Sequence, residues 1–566
     1  MSLPVRGALL AAGLALAAAG VCARPAPADL LLQNGSIYTV DPAKPVVEAV
    51  AVRDGRIVAT GRADDLKHWA GKRTRVLELH GAAVFPGFKD SHAHLLSIGL
   101  TKLGVDLADA SDFDEVIERV QRAARSQPPG TWILGSGWHE SKWRRAPDDA
   151  VRGFPVHQRL SAATPDHPVV LERADGHALL ANGKAMELMG VTASTPAPAG
   201  GEIVKDAQGH LTGVFIDGAL GLIQPPPPSV ETKRRAYELA FRECLQKGVT
   251  AVDDAGVGYD DVALLKSLER QNRIPIRVYA MLAGGKTLRR FDKPQIGPPG
   301  SHLTIRSVKL FVDGALGSRG AALLEPYQDD PGNSGLVVTS ADDLRKAIGY
   351  AFDHGFQVNT HAIGDRGNRM ALDLYEQALS REAGRGDRRW RIEHAQLLDA
   401  SDIPRFGKLG VIASMQTIHA TSDRPWAPDR IGIDRVKEGA YAWRKLLASG
   451  AHIANGTDAP VESIDPIRNF YAAVTRMDEK GQPPGGFDPE ERMTREEALR
   501  SYTIEGAYAT FTEKQSGSIE VGKNADLVVL SRDIMQVPPE QILDAKVQYT
   551  IVGGRVAHTA ELRLAE

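Results

Sequence analysis

The chain changes its hydrophobic rhythm twice. From residue 29 to about residue 88, apolar and polar positions alternate in DLLLQNGSIYTVD, EAVAVRDGRIVATG and VLELHGAAVFPGF. The turn pairs Asn34-Gly35 and Asp54-Gly55 punctuate these runs. A period of two interrupted by Asn-Gly or Asp-Gly predicts short antiparallel strands joined by tight turns. The same rhythm returns near the C-terminus, in GSIEVGKNADLVVLS and VQYTIVGGRVAHT. The two ends of the chain are therefore expected to build one small β-sandwich domain together, over residues 24–84 and 510–566.

Between these ends, strand-length apolar runs alternate with helical stretches such as TKRRAYELAFRECLQKG and ADDLRKAIGYAFDHG. The runs fall at 83–94, 250–256, 275–282, 303–314, 356–365, 389–396, 411–416 and 452–460. Strands that alternate with helices pair in parallel, and eight such units close into a (β/α)8 TIM barrel of the α/β class. The barrel is expected over residues 85–509. Residues from about 100 to 230 are far too many for one crossover, so most of them read as a subdomain inserted after the first barrel strand. The stiff tract Gln224-Pro225-Pro226-Pro227-Pro228 then reads as a linker back to the barrel.

Composition narrows the function classes. Of 566 residues, 43% are hydrophobic and 25% charged, as in an ordinary globular protein. The formal net charge is -3 and no long basic run is present, which argues against nucleic acid as a partner. It also gives no electrostatic case for binding an acidic membrane. The N-terminus reads as an export signal over residues 1–23: Arg6, an uncharged run from Ala8 to Val21, then Val21-Cys22-Ala23 before a cut. That run is too short for stable membrane insertion, so the expected location is periplasmic or secreted. Removing it leaves Cys244 as the only cysteine, a small core residue on a helix.

The chemistry-bearing residues gather at strand ends. His92 and His94 are two apart in a strand, so both imidazoles face one side and form half a metal site. Lys309 sits in VKLFVDG, where a buried ammonium is costly. His361 ends one strand in NTHAIGD, His394 ends the next in RIEHAQ, and Asp458 ends the last in NGTDAP. His361 and His394 are 33 residues apart, about one βα unit. His394 and Asp458 are 64 apart, about two units, with VIASMQ supplying the strand between. Each residue falls near the C-terminal end of its own strand, where barrel enzymes keep their active sites.

The run Pro86-Gly87-Phe88-Lys89-Asp90-Ser91-His92-Ala93-His94, with KLFVDGALGSRGA, NTHAIGD, EHAQ and NGTDAP, resembles the amidohydrolase superfamily. Within it, the chain is similar to the branch that contains N-substituted formamide deformylases, over residues 28 to 560. The resemblance implies a metal-dependent hydrolase of non-peptide carbon–nitrogen bonds with two divalent metal ions, Zn2+ first among them. His92, His94 and Asp458 would hold the more buried ion, and His361 and His394 the second. Lys309 would carry a carbamate derived from carbon dioxide and bridge the pair. Asp458 would also act as general acid and base.

Further expectations follow for the substrate, a small amide-type molecule. His177, in ADGHALLAN, is expected to donate to the carbonyl oxygen. Asp313, Ser318 and Arg319 follow Lys309 in a Gly-rich loop, and Arg319 has the shape to clamp a carboxylate. Gln416 and His419 end the seventh strand, while Trp138 and His139 are candidates for the pocket wall. A cyclic amide, a lactone or an amidine is the alternative substrate class. A non-catalytic scaffold on the same fold is the alternative from another class. A homodimer is the default expectation for assembly.

Overall fold

The computed structural model describes residues 26–382 and 386–560. The expected signal peptide, with Cys22, lies outside the described residues. Among the described residues no helix is long and apolar enough to cross a membrane.

Eight parallel strands make the central sheet: Phe88–Ala93, Val249–Val257, Arg277–Ala283, Leu303–Phe311, Gln357–Ala362, Arg391–His394, Ile412–Met415 and Ile453–Asn455. They lie side by side in chain order, first to eighth. Every residue of the first, fifth and sixth strands is buried, as expected of strands covered on both faces. Between the eighth strand and the first, the ring is completed just beyond the strand end. The Asp458 N–H donates to the His92 carbonyl at 2.7 Å, and the His94 N–H donates to the Ala459 carbonyl at 2.8 Å. Asp90 adds a side-chain tie, accepting the Thr457 hydroxyl at 2.6 Å.

The helices outside the barrel follow from their caps and their spacing. Helix Val230–Gln246 starts at Ser229, whose side chain accepts the Thr232 N–H at 3.1 Å. Ala236, Tyr237, Ala240, Phe241 and Cys244 recur at three- and four-residue steps and all are buried. Cys244 is a free, buried thiol. Helix Ala341–Asp353 starts in the same way at Ser340, which accepts the Asp343 N–H at 3.2 Å. Buried charge inside the barrel is paired: Asp253 accepts Arg391 Nη1 at 2.8 Å and also holds Lys89.

Both chain ends do share one sheet. Leu527–Leu530 pairs antiparallel with Ala83–Pro86, and the eight strands hydrogen-bond continuously, with a branch at Leu30–Tyr38. The run read as one barrel strand at 83–94 is in fact two. Ala83–Pro86 belongs to the terminal sheet and Phe88–Ala93 to the barrel. Gly87 is the hinge between them. Its N–H donates to Asp526, and a Cβ there would meet the Thr250 side chain at 2.2 Å. Only glycine fits so close an approach.

Residues 105–217 fold as a separate six-stranded sheet with its own apolar core. It contains two hairpins: PVVLERADGHALLAN pairs Val169–Arg173 with Ala178–Ala181, and GEIVKDAQGHLTGVF pairs Gly201–Lys205 with Leu211–Asp217. The turn of the first hairpin carries Asp175 and His177 to the barrel mouth. Residues 224–228 have no regular structure and run directly into the Ser229 cap.

Candidate metal centre and its cavity

The first, fourth, fifth, sixth and eighth strands deliver their side chains to one point. His92, His394 and Asp458 each place a ligand atom within 4.8 Å of the others. The ring centroids of His92 and His94 are 5.4 Å apart, those of His92 and His394 4.8 Å, and those of His361 and His394 4.5 Å. Lys309 Nζ lies 3.0 Å from His92 Nε2. Asp458 Oδ1 lies 3.1 Å from His94 Nε2 and 3.4 Å from His92 Nε2. All six residues expected from the strand ends therefore meet at one rim.

Three of the imidazoles are held from behind by Nδ1. His92 Nδ1 bonds Glu393 Oε2 at 2.5 Å, His94 Nδ1 bonds the Ala255 carbonyl at 2.7 Å, and His394 Nδ1 bonds Gln416 Oε1 at 2.8 Å. An acceptor behind Nδ1 selects the tautomer that leaves the Nε2 lone pair free, which is the usual way a protein prepares a metal-binding histidine. Burial and nearby charge add to this. Burial, with Lys309, lowers the His92 imidazole below its usual range. Burial and neighbouring imidazoles hold His361 and His394 well below theirs, so they stay neutral. Burial lowers the Lys309 ammonium as well, against the pull of Glu393 and Asp458. Burial opposes ionisation of Asp458, but His92, His94 and His394 outweigh it and keep the carboxyl well below its ordinary range. Imidazoles with a free ring nitrogen beside a carboxylate are a donor set that suits zinc and similar divalent ions. The residues present fit such an ion.

Two of these positions have left-handed backbone. His394 has φ 74° and Asp458 has φ 58°, uncommon for residues other than glycine and concentrated at functional sites. At His394 the departure from extended backbone has a visible result. Strand alternation would send Glu393 and His394 to opposite faces, yet both lie against His92. Glu393 was missed in the sequence for this reason, although it stands beside His394 in RIEHAQ.

A cavity opens over His361, His394 and Asp458. His177 lines it, with its ring centroid 5.0 Å from that of His361. His177 Nδ1 is bonded at 2.6 Å to Asp217 Oδ1. Burial alone would lower the imidazole, but Asp217 overrides it and takes His177 up to about 9. Asp217 itself has φ 47°, and its Oδ2 is buried without a hydrogen-bond partner. A Cβ on Gly314 or Gly320 would meet that oxygen at 2.2 or 2.3 Å. The Gly-rich loop after Lys309 is thus a cradle for a carboxylate brought by the inserted sheet. Nothing in VFIDG marks Asp217 in sequence.

The remaining expected residues divide. His419 and His139 line the cavity. Gln416 reaches it only through His394. Asp313 is fully buried and accepts backbone N–H groups from Ala322, Ile363 and Gly364, with Oδ1 3.6 Å from His361 Nε2. It braces His361 and does not face the cavity. Arg319 does not line the cavity either: its guanidinium is held by both oxygens of Asp329, at 3.1 and 2.8 Å. A clamp for a substrate carboxylate needs a guanidinium with free donors, and this one is occupied. Ser318 is buried against the Ala315 carbonyl. Trp138 is a core residue of the inserted sheet, its indole N–H donating to the Leu171 carbonyl at 2.8 Å.

Comparison with known proteins identifies the family. Residues 75–558 match the amidohydrolase family. The chain is 34% identical over 533 residues to the putative amidohydrolase YtcJ of Bacillus subtilis (strain 168), covering 93% of this chain and 98% of that protein. It is 29% identical over 545 residues to the N-substituted formamide deformylase of Arthrobacter pascens, covering 93% of this chain and 97% of that one. Among solved structures, an uncharacterized metal-dependent hydrolase from Pyrococcus horikoshii OT3 superposes with a TM-score of 0.71 at 30% identity, covering 90% of this chain and 99% of that chain.

Proposed function

Since the chain belongs to the amidohydrolase family and is a hydrolase of that family, we propose that it hydrolyses non-peptide carbon–nitrogen bonds of small amide-type molecules with the help of divalent metal. The observation that carries this reading is the convergence of four imidazoles, Lys309 and Asp458 on one buried rim. His92, His94 and Asp458 would hold one zinc ion, and His361 and His394 a second. A carbamate on Lys309 would be a further oxygen ligand. Zinc bound there supplies Lewis acidity, lowering the pKa of water and polarising a carbonyl oxygen.

The chain's own residues do the rest. A buried lysine whose ammonium is disfavoured is an amine able to add to carbon dioxide, which supports the carbamate. Asp458, kept ionised, takes a proton from the attacking water and returns it to the departing nitrogen. His177, fixed through Nδ1 by Asp217, points its other nitrogen toward the substrate and donates to the carbonyl oxygen as negative charge develops. Glu393 and Gln416 keep the His92 and His394 rings in place. The reaction is placed in the periplasm or outside the cell, where an N-terminal signal over residues 1–23 would send the chain.

The test is a panel of N-alkyl formamides, N-acetyl amines, cyclic amides and lactones, given to protein purified with zinc and bicarbonate. Release of amine from the formamides or acetamides is expected. Turnover of lactones alone would overturn the assignment of the bond.

A further inference from the structure

The cavity carries charge that the hydrolytic centre does not use. Arg173 in its wall is held by Glu140 at 2.8 Å and by Asp175, so two carboxylates share one cation. Lys142 pairs with Glu462 at 3.3 Å. Asp423 differs from both. Its Oδ2 accepts two neutral donors, Gln396 Nε2 at 2.9 Å and the Tyr441 hydroxyl at 2.9 Å. No cation stands at ion-pair distance from it among the described residues. Burial pushes this carboxyl up to about 6, in part offset by His419. Lys142 and His419 act on it only from beyond ion-pair distance, and a carboxylate facing a cavity with neutral hydrogen-bond partners lacks the close counter-charge that normally makes burial tolerable.

Its neighbours in the wall share the feature of unmet polar capacity. His419 is 8% exposed, lines the cavity, and has a buried Nε2 without a partner. Trp426 lines the same wall, 5.9 Å from the His139 ring by centroids. The Arg430 guanidinium lies 5.9 Å from the Trp426 ring centroid; a carboxylate and an indole lining one cavity can together receive a protonated amine, through a charge-assisted hydrogen bond and the ring.

We propose that Asp423, with Trp426, receives a cationic nitrogen of the substrate, so that the preferred substrates are amides bearing a protonated amine. The inference rests on the hydrolytic reading above. It names the class of molecule that reading leaves open.

The test compares N-(ω-aminoalkyl)formamides having two to six methylenes with N-alkylformamides of equal length, on the zinc-loaded enzyme. The best cationic member should exceed its neutral match in kcat/KM by ten-fold or more. Asp423→Asn should bring that ratio close to one. A wild-type ratio at or below one for every length overturns the proposal, whether or not the variant folds. Binding of n-butylammonium and n-butanol, measured by calorimetry, separates the two readings. If no formamide is hydrolysed yet butylammonium binds ten-fold more weakly to Asp423→Asn, the hydrolytic reading fails and the cation site stands. If neutral formamides are hydrolysed and butylammonium binding ignores Asp423, the cation site fails and hydrolysis stands.

Discussion

Two walls of the same cavity are built by different means. The metal-facing wall comes from strand ends of one parallel sheet, whose register places Lys309 beside Asn359 and His361 beside Glu393. The opposing wall comes from the inserted sheet, through His139, Arg173 and His177, and from the segment after the seventh strand, through His419, Asp423 and Trp426. Backbone hydrogen bonds hold the first wall. Docking of one fold upon another holds the second, and its seat is a carboxylate of the insertion lying on two glycines of the barrel loop. A rigid rim suits metal ligation, which tolerates little error, while a docked wall can vary without disturbing it.

The largest break in this comparison should come from the rim. Asp458→Asn removes the proton carrier, and kcat/KM is expected to fall by about a thousand-fold or more with the circular dichroism spectrum unchanged. Activity within ten-fold of wild type would show that the proton moves by another route.

Glu393→Gln tests the support behind the rim. It keeps the shape but removes the charge behind His92 Nδ1, and zinc affinity should drop by about 10- to 100-fold in chelator competition. Unchanged zinc retention would mean that His92 needs no such partner.

Gly320→Ala probes the docked wall without touching any ligand. The new Cβ displaces Asp217 and with it His177, so kcat should fall about ten-fold, or roughly 1.4 kcal/mol, at constant zinc content. Loss of zinc along with activity would mean that the two walls are not separable in this way.

The smallest effect belongs to a charge pair remote from both walls. Hydrogen bonds from Arg444 and Thr494 take the Glu497 carboxyl from 4.5 down to about 2. A depressed carboxyl stabilises the fold above pH 4.5, and that contribution is lost as pH falls through about 2. The Glu497 side chain is partly exposed at the surface, so solvent screening limits the benefit to roughly 1 kcal/mol or less. Glu497→Gln should therefore lower Tm slightly at pH 7, have almost no effect at pH 2, and leave kcat alone.

The sequence by itself determined the α/β barrel and its six rim residues. A strand end is a local event, and His92, His94, Lys309, His361, His394 and Asp458 each sit at or near the end of an apolar run, with one to three units between successive strands. It also pointed to a terminal sheet made from both ends, because matching two-residue rhythms need each other as partners. What only the tertiary structure decided is whatever depends on how separate pieces approach. His394 joins Glu393 against His92 because its own backbone leaves the extended conformation. Arg319 is drawn to Asp329 and away from the cavity. Asp217 and Asp423 matter through neighbours 40 or more residues away in the first case and 18 and 27 in the second. Periodicity reports the path of the backbone within an element, whereas the partner of a single polar side chain is set by the packing of elements against one another.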